Sequence, residues 1–238
     1  MRFSLKTRYL FIFLTAILIG AGIFFLQEHL LQNKNEEEIN DPSPVGYNAE
    51  PDSLGWRPLF NGRTLDGWQI TNFGPQGPVR IDESEGKIIL GMGDGCTGVT
   101  WQREFPEENY EIALDAMRVK GNDFFCGLTF PVGDEYCTLI VGGWGGTVVG
   151  ISNIDDKDAS ENFTKRLMKF EKQQWYHIRV RVTSQKLRAW IDKKQVVDVN
   201  IKDHEFSVRP EVRLSRPLGI SSWRTTAALK NIKFRTPD

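Results

Sequence analysis

Glycine stands on both sides of a tryptophan in Gly142-Gly143-Trp144-Gly145-Gly146. Glycine weakens a strand and permits close backbone approach. The run therefore reads either as an aromatic platform for a sugar ring or as a bulge that folds Trp144 onto the core. Asp155-Asp156-Lys157-Asp158-Ala159-Ser160-Glu161-Asn162 follows. Such a loop can hydrogen-bond sugar hydroxyls, supply a catalytic carboxylate, or simply be solvated. Asp158 and Glu161 are the first candidates for the catalytic role, with Asp155 and Asn162 as polar substrate contacts. The loop's oxygens could also meet calcium, but their spacing departs from an EF-hand; no metal or cofactor is expected, and calcium is only a minor reading. Trp223-Arg224 stands before the final apolar segment. Trp223 offers a second aromatic contact, and Arg224 a donor to a hydroxyl or a developing negative charge, or else an ordinary surface arginine. His177 alternates with the apolar positions Ile178, Val180 and Val182, so it points to the other face of its strand. If that face is the cleft, His177 is a base candidate; the plainer reading is an exposed histidine.

Several chemistries are excluded. Gly91-Met92-Gly93-Asp94-Gly95-Cys96-Thr97-Gly98 invites a phosphate-loop reading, but Cys96 replaces the third glycine and no helical pattern follows. The three cysteines, Cys96, Cys126 and Cys137, lack C-x-x-C spacing and cannot form a zinc site alone. Cys126 and Cys137 flank the turn signal Pro131-Val132-Gly133-Asp134, so a cross-strand disulfide and a pair of buried free thiols are both open. Asn162-Phe163-Thr164 matches a glycosylation sequon, meaningful only in a eukaryotic secretory route. A formal net charge of −1 argues against a nucleic-acid partner. Oligomeric state is not legible.

These residues must be positioned by strands. In Trp175–Ser184 apolar and polar residues alternate with a period of two, and Lys186–Asp192 and Tyr110–Asp115 repeat the pattern. Further strands are expected at 68–73, 78–82, 87–92, 98–104, 123–130, 136–142, 147–153, 165–170, 196–199, 217–222 and 226–235. No sustained helical period appears beyond residue 54. Many short strands at close spacing mean an all-β fold, and this number predicts a two-sheet jelly-roll sandwich.

The first fifty residues differ. Residues 9–26 carry no charge, eighteen residues or about 27 Å of helix. Arg2, Lys6 and Arg8 precede that run, and Glu28 and Glu36-Glu37-Glu38 follow it. The positive-inside rule predicts a transmembrane signal anchor at 9–27, with residues 1–8 cytoplasmic and the rest in the periplasm or at the cell surface. A cleaved signal peptide is the alternative, disfavoured by the length of the run and the lack of an A-x-A site. Residues 28–53, acidic, proline-bearing and poor in apolar groups, read as a disordered tether. The folded domain is expected at 54–238.

Three segments carry a family resemblance. Leu59-Phe60-Asn61-Gly62-Arg63-Thr64-Leu65-Asp66-Gly67-Trp68 resembles the opening motif of the 3-keto-disaccharide hydrolase family. Trp175-Tyr176-His177-Ile178-Arg179-Val180 with the Asp192 turn, and Ala227-Ala228-Leu229-Lys230-Asn231-Ile232-Lys233-Phe234-Arg235, are similar to its later hairpin and final strand. The resemblance implies a concanavalin A-like jelly roll that cleaves 3-keto-glycosides by elimination and hydration. A C3 ketone acidifies the C2 proton, so one base and one enolate stabiliser could expel the leaving group. The middle departs from the family pattern: Cys137-Thr138-Leu139-Ile140-Val141-Gly142 carries no carboxylate. Three functions therefore stand side by side: a hydrolase or lyase acting on 3-keto sugars, a non-catalytic glycan-binding module, and a cell-envelope interaction module.

Overall fold

The computed structural model describes residues 49–237. The expected anchor at 9–27 and nearly all of the tether lie outside the described residues. Among those described, no helix is long and apolar enough to cross a membrane.

Alternating sequence becomes a sandwich of two antiparallel sheets. The first sheet is ordered β13 (Lys194–Asn200), β12 (Lys186–Ile191), β11 (Trp175–Val182), β6 (Tyr110–Lys120), β15 (Thr226–Arg235), β4 (Lys87–Leu90) and β3 (Val79–Asp82). The two-residue strand β1 (Arg57–Pro58) also pairs with β15. The second sheet is ordered β10 (Arg166–Leu167), β9 (Val148–Ser152), β8 (Glu135–Gly143), β7 (Cys126–Val132), β14 (Gly219–Trp223), β5 (Cys96–Trp101) and β2 (Trp68–Ile70). The consecutive strands β14 and β15 lie in different sheets, as a sandwich with crossing connections requires.

In β11 the residues Tyr176, Ile178, Val180 and Val182 are buried in the core, whereas His177 is exposed and Arg179 and Arg181 half-exposed. Ile112, Leu114 and Ala116 of β6 meet them across the ladder. Each Ile, Leu or Val among them contributes about 1.5–3 kcal/mol on full burial. Trp68 and Trp101 pack edge to face at 5.1 Å in the same core.

The inner strands of the second sheet are largely covered on both faces, so β5, β7 and β9 have no exposed residue, whereas β2 and β10 at its edges do. Part of its outer face is covered by residues 201–216, which include two short 3-10 turns (Ile201–Asp203 and Pro210–Ser215). Small polar side chains suit such a covered face: Thr129 and Thr138 share a hydrogen bond of 2.9 Å.

Cys126 and Cys137 do lie on the two arms of one hairpin, but Cys126 pairs with Val141 and Cys137 with Phe130. Four residues of register separate them, about 13 Å along the strands, well beyond disulfide reach. All three cysteines are free and buried, which removes the disulfide alternative.

Candidate functional site

A groove of about 250 Å³ opens on the outer face of the second sheet. Thr138 and Ile140 of β8, Ser152 of β9 and Cys96 of β5 line its floor. Trp144, Trp223, Asp123 and Phe124 flank it from loops and strand ends, and Arg209, Glu211 and Val212 form a wall. Aromatic and apolar surface with a few placed polar groups is the usual make-up of a small-ligand site.

The glycine run around Trp144 has a specific cause. Arg118 projects from β6 into the interior, where it is buried. Its guanidinium donates to the carbonyls of Gly142 (3.1 Å), Gly146 (2.9 Å) and Phe170 (3.3 Å) and lies over the Phe125 ring at 5.1 Å. A Cβ on Gly142 would stand 2.4 Å from Arg118 Nη2, and one on Gly146 would stand 2.9 Å from the Asn122 carbonyl. Gly142 and Gly146 also have positive φ, which glycine adopts at least cost. Clamped at both ends, the loop turns Trp144 outward at φ +46°, with 41% of its surface exposed.

Asp123 is fixed beside this loop. Its backbone N–H donates to the buried Thr225 hydroxyl (3.1 Å), and its Oδ1 accepts from the Phe124 N–H (2.8 Å). Phe124 in turn accepts the Trp223 N–H through its carbonyl at 3.0 Å. One connection therefore positions a carboxylate and an aromatic side chain together. Opposite in charge, Arg209 donates to both Glu211 oxygens (3.3 and 3.0 Å) and to Asp158 Oδ2 (2.9 Å). The Arg209 hydrogen bond holds the Glu211 carboxyl below its ordinary range despite partial desolvation, and the Glu211 partner raises the Arg209 guanidinium. Cys96 is no nucleophile here: burial pushes its thiol up to about 12.

The groove gathers some of the residues expected from sequence and leaves others elsewhere. Trp144 and Trp223 line it. Asp158 stands behind the wall, receiving Arg209 and capping its own loop through the Ser160 N–H and hydroxyl. Arg224 is turned to solvent, paired with the exposed Asp94 at 2.9 Å. Glu161 is exposed and is not among the groove-lining residues. Asp155 binds His204 Nδ1 at 2.7 Å and the Glu205 N–H at 3.1 Å, bracing two surface segments. Asn162 is buried, its amide donating to the carbonyls of Ile151, Lys157 and Asp158; it is a loop staple, inaccessible in the folded chain to substrate or to glycan attachment.

His177 lies on the outer face of the other sheet. Its Nδ1 is 2.7 Å from Asp115, which also accepts from Asn231 Nδ2 at 2.7 Å. Burial works against the Asp115 charge, but these hydrogen bonds and the Lys230 charge leave its carboxyl below the ordinary value. A wider, more polar cleft of about 700 Å³ runs past His177. Two sheets separate it from Trp144, so His177 cannot serve as base in the groove. Among the described residues no group of three or more His, Cys, Asp or Glu side chains gathers around a possible metal position.

Asp123, Arg209 and Glu211 escaped the sequence reading. Arg209 and Glu211 sit in an irregular segment with no motif, and Asp123 stands next to an aromatic run that suggests only a strand. Asp123's place before the Phe124-Phe125 pair was the one available signal.

The fold and the groove together define an all-β, two-sheet sandwich of the jelly-roll kind with an aromatic-flanked groove on one outer face. A family model described as the 3-keto-alpha-glucoside-1,2-lyase-like domain matches residues 55–235. The chain belongs to that family. Solved structures of similar fold include the apo Crh5 transglycosylase, with TM-score 0.55 and 13% identity over 82% of this chain and 87% of that one. A β-glucanase from Bacillus licheniformis matches with TM-score 0.53 and 9% identity, over 77% of this chain and 97% of its own. A glycosyl-hydrolase candidate from Parabacteroides distasonis ATCC 8503 matches with TM-score 0.51 and 13% identity, over 77% and 94%. At such identities the likeness is one of fold. No curated protein matches the chain in sequence.

Proposed function

We propose that the groove binds a sugar against Trp144 and Trp223 and cleaves 3-keto-glycosides by elimination. The observation that carries this reading is the placement of a fixed carboxylate, Asp123, and a fixed guanidinium, Arg209, in one ring-lined groove. Asp123 removes the C2 proton, and the electron pair delocalises onto the C3 oxygen as an enolate that Arg209 stabilises. The enolate then collapses, re-forming the C3 carbonyl and making a C1–C2 double bond as the C1–O bond breaks, and the departing oxygen takes up the proton that Asp123 removed. The product is a 3-keto-2-hydroxy-glucal, which water can add to in a second step. Only one base and one anion stabiliser are needed, so paired carboxylates at glycosidase spacing are not required. The family's name supports this chemistry.

A second reading has its own support. The strands under the groove contribute Thr138, Ile140, Ser152 and Cys96, with no carboxylate among them, which suits a module that holds a glycan without cutting it. Incubating the full chain with a 3-keto-glucoside separates the two. Release of the 3-keto sugar, lost on Asp123→Asn and on Trp144→Ala, supports elimination. Glycan binding without turnover, abolished by Trp144→Ala but indifferent to Asp123→Asn, overturns catalysis and leaves the binding module.

The uncharged run at 9–27, with cations before it and carboxylates after it, supports an anchored protein with its domain outside the cytoplasm. Carbonate-resistant membrane association, with the domain open to added protease in spheroplasts, is the expected result. A domain protected in intact spheroplasts would reverse the orientation.

A further inference from the structure

The outer face of the first sheet is unlike the rest of this near-neutral chain. Cross-strand partners share a face, so the ladder fixes one row: Asp198, Arg188, Arg181, Glu111 and Arg235 stand side by side on β13, β12, β11, β6 and β15. Arg179, two residues from Arg181, joins that face, and Lys233 lies two residues from Arg235. Six cations, counting Lys186, meet the carboxylates Glu111 and Asp198 on this part of the sheet, and at its edge the exposed Asp52 also faces Lys233 and Arg235. Farther along the face Asp115 lies beside the cation of Lys230 and is hydrogen-bonded to His177 Nδ1 and Asn231.

The arrangement is costly unless an anion completes it. Arg181 and Arg188 face each other directly across the ladder, and like charges so placed are destabilising. Three guanidiniums converge on the buried Glu111: Arg179 at 3.0 Å, Arg235 at 3.1 Å and Arg181 at 3.6 Å. One carboxylate cannot neutralise all three, and Nε of Arg181 and of Arg235 is buried with no hydrogen-bond partner. The side chains are nevertheless held in place. Arg179 stacks on Trp190 at 4.0 Å, Arg235 on Trp56 at 4.6 Å, and Arg188 and Lys186 are tied to Asp198. Their outward donors are thus preorganised, which lowers the entropy lost when a ligand binds.

We infer that this face is a docking surface for an acidic polysaccharide, a glycan chain bearing carboxylate or sulfate groups at regular intervals. Guanidinium forks match such oxyanions in geometry as well as charge. The cations are spaced by the sheet itself, about 4.8 Å between strands and about 7 Å between alternate residues, comparable with successive pyranose units. A rigid array of fixed spacing reads a regular polymer better than the fluid charge of a lipid surface. The surface is separate from the groove, on the other sheet, and its role does not depend on what the groove does.

Affinity electrophoresis of the full chain through gels containing polygalacturonate, dextran sulfate or neutral dextran tests the assignment. Retardation by at least one acidic polymer and not by dextran is expected, weakening steadily with salt as counterion release requires. The double variant Arg181→Gln/Arg188→Gln, which leaves Glu111 its Arg179 and Arg235 partners and removes the like-charge pair, should lose at least tenfold in affinity with no loss of thermal stability. Trp144→Ala should leave this binding intact. No retardation by either acidic polymer, or retardation that the double variant does not weaken, overturns the proposal. So does equal or tighter binding to phosphatidylglycerol vesicles or to an oligothymidylate, which would give the face to a membrane or a nucleic acid instead.

Discussion

Arg118 is the residue on which the groove's aromatic wall depends. It crosses the core to satisfy carbonyls on the loop that presents Trp144. Truncating it to Met removes those donors and leaves buried carbonyls unpaired, a loss of about 2–4 kcal/mol. Arg118→Met should therefore lower the unfolding midpoint and weaken sugar binding together, whereas Trp144→Ala should weaken binding alone, because Trp144 is 41% exposed. Gly142→Ala drives a Cβ to 2.4 Å from the same guanidinium at a positive-φ position and should cost about 1–3 kcal/mol. Thermal unfolding paired with titration calorimetry reads both effects. Equal stability of Arg118→Met and the parent would refute the clamp.

At the scale of elements, segment 201–216 works as the wall because it is tied down. His204 binds Asp155 and Arg209 binds Asp158, both outside the segment, and Arg209 also fixes Glu211 within it. The Glu211 carboxyl is depressed below 4.5, chiefly by the Arg209 hydrogen bond. A depressed carboxyl contributes its stabilisation above its unfolded value and loses it as pH falls through the folded one. Groove affinity should accordingly stay level from pH 7 down to about pH 5, falling only below 4.5. Glu211 is substantially exposed, so the stability effect is small and ligand affinity is the better readout. In Glu211→Gln that acid limb should disappear. An affinity that falls between pH 7 and 5 would contradict the assignment.

For the whole molecule, the core runs from Leu59 to Phe234 and closes the sandwich within the described residues. Removing residues 1–48 should leave a cooperative β-rich unfolding transition and unchanged sugar binding, while releasing the protein from membranes. Circular dichroism, binding and fractionation of the truncated chain check this. A truncated chain that unfolds without cooperativity would show that the N-terminal residues belong to the fold.

The sequence by itself determined the elements. Half-buried strands such as β11 write their two faces into alternate residues, the others were marked by short apolar runs between turn residues, and motifs at both ends of the domain were enough to suggest the family. The second sheet was legible as strands but not as a binding face. With both faces covered, β7 is uniformly buried, and the alternation that marks a free face is lost. Trp144 could be singled out because glycine on both sides is a local anomaly, yet its cause, Arg118, lies 26 positions earlier. The acidic loop offered candidate carboxylates, but which of them face a groove was not legible: Asn162 and Asp155 direct their hydrogen bonds to the protein itself. His177 was rightly placed on the outer side of its strand, but only the sandwich decides which sheet that strand joins. Tertiary structure alone brought Asp123, Arg209 and Glu211 to Trp144, because proximity across a sandwich depends on strand order and crossing connections, which no local pattern of residue types encodes.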